Sequence, residues 1–224
     1  MRPVSEEAMV EPSRRELAVS RTVDPARERA EMKVKAFLDA AHALLAEDGD
    51  FTLQMVVERS GQSLRSFYQH FAGKHELLLA LFEESIQASA AQLFDELGEG
   101  GDPVDRLRTF VLAYHRLCLQ GTARYAETPL QSRAMAQYAQ QLLIYHPDEA
   151  TQAFAPLVAI IDDLIDAARR SEVIRADLDD DVAGYVLQAV MFNAFVPTIA
   201  GTSPSADPTA SAERLWALLF HGLS

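Results

Sequence analysis

The segment that decides the fold is Thr52–Lys74, TLQMVVERSGQSLRSFYQHFAGK, in which two short helical patterns flank a glycine turn. The first pattern spans about residues 53–59. It follows Thr52, whose hydroxyl can accept hydrogen bonds from the free amides of a helix N-terminus. Gly61 comes next, at a position where a helix commonly ends in a left-handed residue. The segment therefore predicts a helix, a tight turn and a second helix.

The second helical pattern, residues 64–71, has one apolar and one polar face. Ser63 precedes this pattern and is placed to cap its first turn. Leu64, Phe67 and Phe71 recur at intervals of three and four, which predicts one buried stripe. The residues left to face outward are Arg65, Ser66, Tyr68, Gln69 and His70. Donors and acceptors around one arginine are suited to base edges in a major groove, so the pair of helices is expected to be a helix-turn-helix.

This segment also resembles a known family. The pattern Gly61-x-Ser63-x-x-Ser66-Phe67-Tyr68-x-x-Phe71-x-x-Lys74-x-Glu76-Leu77-Leu78 is similar to the DNA-binding signature of the TetR family of transcriptional regulators. The similarity covers about the first third of the chain. Gln62 and Arg65 depart from it, because the family commonly has small residues there. The resemblance implies a DNA-binding domain followed by a helical domain that binds an effector and forms a homodimer.

The helix-turn-helix supplies the expected contacts to DNA. We expect Arg65 to contact a base, with guanine as its usual partner, and Gln69 and His70 to be further base-contacting candidates. The residues expected to contact phosphates are Thr52, Ser63, Ser66, Tyr68 and Lys74. Gln62, in the turn, completes the expected DNA-binding set.

The charge of the chain is unevenly distributed. A net charge of −13 argues by itself against a nucleic-acid partner, because affinity for DNA depends on cations placed on phosphates. Residues 1–74, however, hold 11 Lys and Arg against 12 Asp and Glu, a net charge of −1. Residues 75–224 hold 9 against 21, a net charge of −12. The acidity therefore belongs mainly to the remainder of the chain.

Composition indicates a globular protein of a reducing compartment. Of the 224 residues, 49% are hydrophobic, which is enough for a good core. A single cysteine, Cys118, excludes an internal disulfide, and no charged-then-apolar leader is seen, so a cytoplasmic location is expected. The apolar run 182–200 is interrupted by Gln188, Asn193 and Pro197, which favours a buried helix over a membrane span.

The helical patterns divide the chain into three parts. Residues 1–23 are expected to form a disordered leader. Its arginines, Arg14, Arg15 and Arg21, could lie along DNA or could belong to a solvated tail. Residues 24–73 are expected to form the DNA-binding domain and residues 74–224 a helical effector-binding and dimerisation domain. Since no alternating strand pattern occurs, we expect an all-α fold of about nine helices.

The first helices of the second domain carry the candidate effector pocket. Aromatic residues recur on one helix face, and a later helix carries Pro129, which is expected to kink it. A kinked helix bordered by aromatic side chains can form a pocket wall, although the same pattern also fits an ordinary core. The candidate lining residues are Phe110, Tyr114, Cys118, Arg133, Met135, Tyr138 and Leu142.

The last two predicted helices are the candidate dimer interface. They carry more apolar surface than one small domain can cover, and two helices from each of two chains would form a four-helix contact. The expected interface residues are Val182, Tyr185, Val186, Ala189, Phe192, Phe195, Trp216, Leu219 and Phe220. A symmetric dimer would place two recognition helices one DNA turn, about 34 Å, apart.

Nothing in the sequence indicates catalysis. The histidines are scattered without the spacing of a metal site, and no nucleophile or phosphate-loop motif occurs, so no enzyme activity, metal or cofactor is expected. The sequence thus predicts a homodimeric DNA-binding regulator, in its simplest form a repressor that a small molecule releases from a palindromic operator. Two alternatives stay open: a helical ligand-binding protein or enzyme that has lost DNA binding, and a protein-interaction module.

Overall fold

The computed structural model describes the backbone of residues 14–122, 125–126, 129–175, 177–179, 181–200 and 207–223. Within these residues the helices are α1 Arg14–Asp48, α2 Leu53–Ser60, α3 Leu64–Phe67, α4 Lys74–Leu97, α5 Pro103–Gln120, α6 Pro129–Tyr145, α7 Pro147–Arg170, α8 Val182–Ala200 and α9 Pro208–Leu223. Two short strands, β1 Gly121–Thr122 and β2 Tyr125–Ala126, pair antiparallel between α5 and α6. The predicted all-α fold is confirmed, since two residues per strand do not form a sheet layer.

Helix α1 begins at Arg14, not at Asp24 as the sequence predicted. The expected disorder is therefore wrong for residues 14–23, and residues 1–13 lie outside the described part. The stretch RRELAVSRTV contains neither glycine nor proline and is compatible with a helix. Pro25 lies inside α1 and removes one backbone hydrogen bond, but it does not end the helix.

Aromatic rings hold the N-terminal helices together. The Phe37 ring of α1 lies edge-on to the Phe67 ring, with centroids 5.4 Å apart, and to the Phe71 ring at 6.2 Å. Phe37 and Phe67 are both 0% exposed. Val56 and Val57 of α2 add to the same core. This packing fixes the orientation of α3 relative to α1 and α2.

The remaining helices, α4 to α9, pack around α5 and form the body of the protein. Helix α5 contacts α4, α7, α8 and α9, and α1 reaches this body through contacts with α4 and α6. Between α5 and its neighbours, Arg116 donates to Glu96 at 2.7 Å and the His115 ring lies 2.9 Å from the Asn193 Oδ1. None of the described helices combines the length and hydropathy of a membrane span.

Of the two predicted effects of proline and glycine in this part of the chain, one is wrong and one is confirmed. Pro129 is the first residue of α6, so the predicted kink is wrong. At the first helical position, the missing proline N–H removes no intrahelical hydrogen bond. The glycine-rich break after α4 is found as predicted: Gly98, Gly100 and Gly101 have φ values of 57°, 75° and 99°. Asp102 then caps α5 by accepting from the amide of Val104 at 2.9 Å.

Acidification is expected to destabilise the body through His115. This side chain is 3% exposed, and burial lowers its pKa although the hydrogen bond with Asn193 opposes that effect. The folded protein therefore favours neutral His115, whereas the unfolded chain takes up a proton near pH 6.5. The contribution to stability is complete above that pH and is lost as the pH falls below it. Urea unfolding measures how far the free energy of unfolding falls between pH 7.5 and pH 5.5. This fall should be smaller in His115→Gln than in the wild type, and the same as in the wild type in the exposed control His221→Gln.

Candidate DNA interface and effector cleft

The two caps of the helix-turn-helix are formed as predicted. The Thr52 hydroxyl accepts from the Met55 amide at 3.3 Å, and Gly61 takes the left-handed conformation with φ 65°. The Ser63 hydroxyl accepts from the Ser66 amide at 3.1 Å. Because a hydroxyl that accepts one hydrogen bond can still donate its own hydrogen, both caps can also donate to a phosphate.

Helix α3 is shorter than predicted. It ends at Phe67, and the chain continues in a tight turn in which the Gln69 amide donates to Ser66 O at 3.2 Å and the His70 amide to Phe67 O at 2.9 Å. Phe67 and Phe71 are buried as predicted, at 0% and 6% exposure. Leu64, the first residue of α3, is 44% exposed instead of buried, so that part of the prediction is wrong.

The outward orientation predicted for Ser66 is also wrong. Ser66 is 7% exposed and lies beside the buried Phe67. Its amide already donates to Ser63, and its hydroxyl has no hydrogen-bond partner in the described part of the chain. Ser66 therefore belongs to the interior of this domain, and a phosphate contact would require the side chain to turn outward.

The other outward residues of α3 and its turn form an exposed face. Arg65 and Gln69 are exposed and Tyr68 is 56% exposed. The Tyr68 ring packs edge-on against Phe67 at 5.5 Å, which supports the ring at the surface of the domain. His70 is partly buried beside them. These side chains can reach a duplex placed against α3.

A groove of about 470 Å³ separates this face from α1. From the α3 side it is lined by Gln62, Gln69 and His70, three of the residues predicted to contact DNA. From the α1 side, Arg29 and Lys33 line it, and sequence reasoning missed both. Their spacing of four residues at the edge of the apolar stripe of α1 was the available signal, but an ordinary solvated face has the same pattern.

Most exposed cations of this domain are paired within the chain. Arg27 pairs with Glu31 at 2.8 Å, Lys35 with Asp39 at 2.6 Å, and Arg59 with Glu47 at 2.5 Å. The ion pair with Arg59 lowers the pKa of Glu47. Among the cations of this domain whose side chains are described, Arg29, Lys33 and Arg65 have no ion-pair partner. Arg29 donates to the Pro25 O at 2.8 Å, so Lys33 and Arg65 are the cations most available to DNA.

Lys74 has a contact set that the sequence did not predict. Its ammonium donates to the Asp50 carboxylate at 2.5 Å and to Phe51 O at 2.6 Å, and it lies 4.6 Å from the centre of the Phe51 ring. The hydrogen bond from Lys74 lowers the pKa of Asp50. Lys74 thus ties the start of α4 to the α1–α2 loop. Its contact with a phosphate stays a prediction.

A cleft of about 600 Å³ lies between α7 and α8. Its walls are largely apolar, and its lining residues are Leu143, Pro147, Ala150, Thr151, Phe154, Val158, Asp162, Asp181, Ala183, Gly184, Tyr185, Leu187, Gln188 and Met191. A cleft of this size and character can hold a small organic molecule.

None of the seven residues predicted to form a pocket lines this cleft. Six of them are buried in the core: Phe110, Tyr114, Cys118, Met135, Tyr138 and Leu142. The seventh, Arg133, is exposed. The aromatic stripe of α5 faces the neighbouring helices, and burial raises the pKa of the Tyr114 hydroxyl well above its usual range. The helical spacing of these aromatic residues on α5 therefore belongs to a packed core and not to the wall of this cleft.

The predicted dimer helices have both buried and exposed apolar residues. Val182, Val186 and Trp216 are buried within their own chain, and their part in an interface stays a prediction. Tyr185 and Phe192 are exposed, at 60% and 38%. The other predicted positions, Ala189, Phe195, Leu219 and Phe220, are partly exposed. Sequence reasoning missed two strongly exposed neighbours, Val196 at 53% and Leu218 at 73%.

Comparisons with known proteins agree with this geometry. A family model described as "Bacterial regulatory proteins, tetR family" matches residues 37–81, which include the end of α1, all of α2 and α3, and the start of α4. No curated protein matches the chain by sequence. The match to the family model confirms the resemblance found in the helix-turn-helix segment.

Solved structures share the arrangement of the helices. The transcriptional regulator FadR from Bacillus subtilis, in complex with stearoyl-CoA, is 16% identical with a TM-score of 0.65, over 85% of this chain and 99% of that chain. GusR of Salmonella enterica is 22% identical with a TM-score of 0.60, over 85% and 95%. A TetR family transcription regulator from Marinobacter aquaeolei VT8 is 18% identical with a TM-score of 0.59, over 88% and 98%. Residues 37–81 therefore match the family model of the tetR bacterial regulatory proteins, and the chain as a whole shares the fold of these solved structures.

Proposed function

We propose that the protein is a homodimeric transcriptional repressor that leaves a palindromic operator when a small molecule occupies the α7–α8 cleft. The observation that carries this proposal is the exposed α3 face beside the basic side of α1, within the segment that matches the family model. Residues 24–73 bind DNA in this proposal, and residues 74–224 bind the effector and dimerise.

The proposed release is a linkage between two sites. A ligand lowers DNA affinity only if it binds more tightly to a conformation in which the two DNA-binding domains no longer match the groove spacing. Helix α7 forms one wall of the cleft and packs along α4. Six residues in turn separate the end of α3 from the start of α4. A shift of α7 on ligand binding would therefore be transmitted to the start of α4.

Selection from random duplex DNA tests the DNA-binding half of the proposal. The bound fragments are expected to share a motif with two-fold symmetry and half-sites one helical turn apart, because each protomer presents one α3. Binding of the selected duplex should weaken steeply with salt. Failure to retain any duplex would contradict the proposal and would favour a ligand-binding protein without DNA affinity.

Arg65→Ala is expected to cost about 1–3 kcal/mol of operator affinity and to relax sequence preference at one position of each half-site. The physical reason is that an exposed arginine without an ion-pair partner in the described chain can make a bidentate contact to guanine. Fluorescence anisotropy on the selected duplex and on single-base variants measures both effects.

Lys33→Ala provides the contrast for this measurement. A phosphate contact should weaken binding to all sequences alike and reduce the salt dependence by about one ion. Arg170 is an exposed arginine at the end of α7, and Arg170→Ala is the matched control. It should leave the operator affinity and its salt dependence unchanged. Unchanged affinity and preference in Arg65→Ala would remove Arg65 from the base-reading set.

The lining of the cleft restricts the chemistry of the effector. The charged residues among its described walls are two aspartates, Asp162 and Asp181, and most other walls are apolar. Carboxylates repel an anion and attract a cation. We infer that the effector is a neutral or cationic, mainly apolar molecule, which differs in charge from the stearoyl-CoA bound by the Bacillus FadR.

Gly184→Leu is expected to block the cleft without disturbing the fold. A Cβ atom added at Gly184 meets nothing within 4 Å, and leucine is favoured over glycine in a helix. Affinity for Nile red, a neutral apolar dye, should fall by at least about tenfold, or about 1.4 kcal/mol. Fluorescence titration measures this change. Gly222→Leu, which adds a side chain in open space on α9, should bind the dye like the wild type. Equal dye affinity in all three proteins would exclude this cleft as the ligand site.

A further inference from the structure

Two histidines and a glutamate from distant parts of the chain meet where α4 begins. His75 is the second residue of α4, His146 is the N-cap of α7, and Glu149 lies in the first turn of α7. One imidazole nitrogen from each histidine and one carboxylate oxygen all lie within 4.8 Å of one another. The sequence predicted no metal site, because only His146 and Glu149 are close in sequence and three-residue spacing alone is a weak signal.

The separations within this cluster suit a shared metal ion. The His75 Nε2 lies 2.6 Å from the Glu149 Oε2, and the His146 Nδ1 lies 3.6 Å from the same oxygen. In a tetrahedral site with bonds of about 2.0–2.1 Å, ligand atoms lie about 3.3 Å apart, which falls between these two distances. The three side chains are 42%, 44% and 39% exposed, so small rotations can centre them on an ion that enters from solvent.

A buried tyrosine orients the first of these ligands. The Tyr138 hydroxyl donates to His75 O at 3.3 Å and lies 3.4 Å from the His75 Nδ1, where it can accept the ring N–H. A hydrogen bond at Nδ1 leaves Nε2 as the metal-binding nitrogen, which is the arrangement that outer partners of histidine ligands provide.

The donor set selects a class of metal. Two imidazole nitrogens and one carboxylate oxygen suit Zn²⁺ and neighbouring divalent transition ions, whereas Mg²⁺ and Ca²⁺ prefer oxygen ligands throughout. We propose that His75, His146 and Glu149 form a binding site for one divalent transition-metal ion per chain, with water in the remaining position. Such an ion would join the start of α4 to the start of α7.

The location of this site has a consequence that rests on the proposed function. The neighbouring residue Lys74 ties the start of α4 to the α1–α2 loop of the DNA-binding domain. An ion bound by His75 and Glu149 would fix the start of α4 to the start of α7 in the effector domain. Metal occupancy is therefore expected to change operator affinity by at least about fivefold, which is the lower end of ordinary coupling energies.

Calorimetric titration of the full chain, freed of any polyhistidine tag, tests the site itself. We expect one Zn²⁺ per chain and no displacement by excess Mg²⁺. Both His146→Ala and Glu149→Gln should weaken Zn²⁺ binding by at least about 100-fold, and Tyr138→Phe by about tenfold, as is usual for an outer partner. His221→Ala, an exposed histidine at the other end of the chain, is the matched control and should bind like the wild type.

The outcomes separate the site from its consequence. Absence of Zn²⁺ binding, or equal affinity in His146→Ala, Glu149→Gln and the wild type, would overturn the metal site and leave His75 and Glu149 as an ordinary hydrogen-bonded pair. Anisotropy on the selected duplex, with EDTA and with Zn²⁺, tests the coupling. Zn²⁺ binding with unchanged operator affinity would overturn the coupling alone. A protein that binds Zn²⁺ at this site but no duplex would overturn the proposed repressor function and support the metal site.

Discussion

Phe192→Glu is expected to convert the protein from dimer to monomer and to weaken operator binding by about 10²- to 10⁴-fold. Tyr185, Phe192 and Val196 lie on one exposed face of α8, and Leu218 of α9 is 73% exposed. A contiguous apolar face of this kind marks an interaction surface, and a buried carboxylate without a partner would prevent its association. The large loss of affinity follows because two linked half-site contacts bind far more tightly than one.

Light scattering and anisotropy on the selected duplex measure the two effects of this substitution. Leu218→Glu should act in the same way if α9 shares the interface. Phe94→Glu is the matched control, since Phe94 is 69% exposed on α4 and lies outside the predicted interface. A Phe192→Glu protein that remains dimeric at micromolar concentration would show that this face of α8 is not the dimer contact.

Phe67→Ala is expected to lower the free energy of unfolding of the DNA-binding domain by about 3–5 kcal/mol. Phe67 is 0% exposed and packs against Phe37, Tyr68 and Phe71, with ring centroids 5.4, 5.5 and 5.4 Å away. Its removal would leave a cavity beneath α3 and take the DNA-contacting residues out of position. Leu64→Ala, in the same helix but at an exposed position, should cost no more than about 0.5 kcal/mol.

Two optical probes distinguish the domains in this experiment. Trp216 is the single tryptophan and lies in the body, so its fluorescence reports on the body, whereas ellipticity reports on every helix. In urea, Phe67→Ala should shift part of the ellipticity transition to lower concentration and leave the fluorescence transition in place. Equal midpoints for Phe67→Ala and Leu64→Ala would contradict the packing described for α3.

Local signals predicted local structure well. The caps at Thr52 and Ser63 and the left-handed Gly61 depend on hydrogen bonds between residues that are neighbours in sequence. The break after α4 depends on backbone freedom within a few glycines. Such features have their causes inside the segment, so the helix-turn-helix and its resemblance to a known DNA-binding signature could be inferred before the fold was known.

Side-chain direction was less predictable, even within that segment. Ser66 is buried and Leu64 is exposed because the packing of α3 against its neighbours, and not helical period alone, decides which of its faces is covered. Lys74 donates to Asp50 because the α1–α2 loop packs beside α4. The extension of α1 to Arg14 shows a similar limit: an internal proline and mixed charge predicted a break that the folded chain does not have.

The sequence by itself determined the helical class, the position of the DNA-binding motif and the apolar character of α8, because each arises from residues within one or two turns of each other. Only the tertiary structure decided which apolar stripes became core, which face of α8 stayed exposed, and where a cleft remained between α7 and α8. It also brought His75 to His146 and Glu149. These contacts join helices far apart in the chain, and helix packing, not local spacing, sets the distances between them.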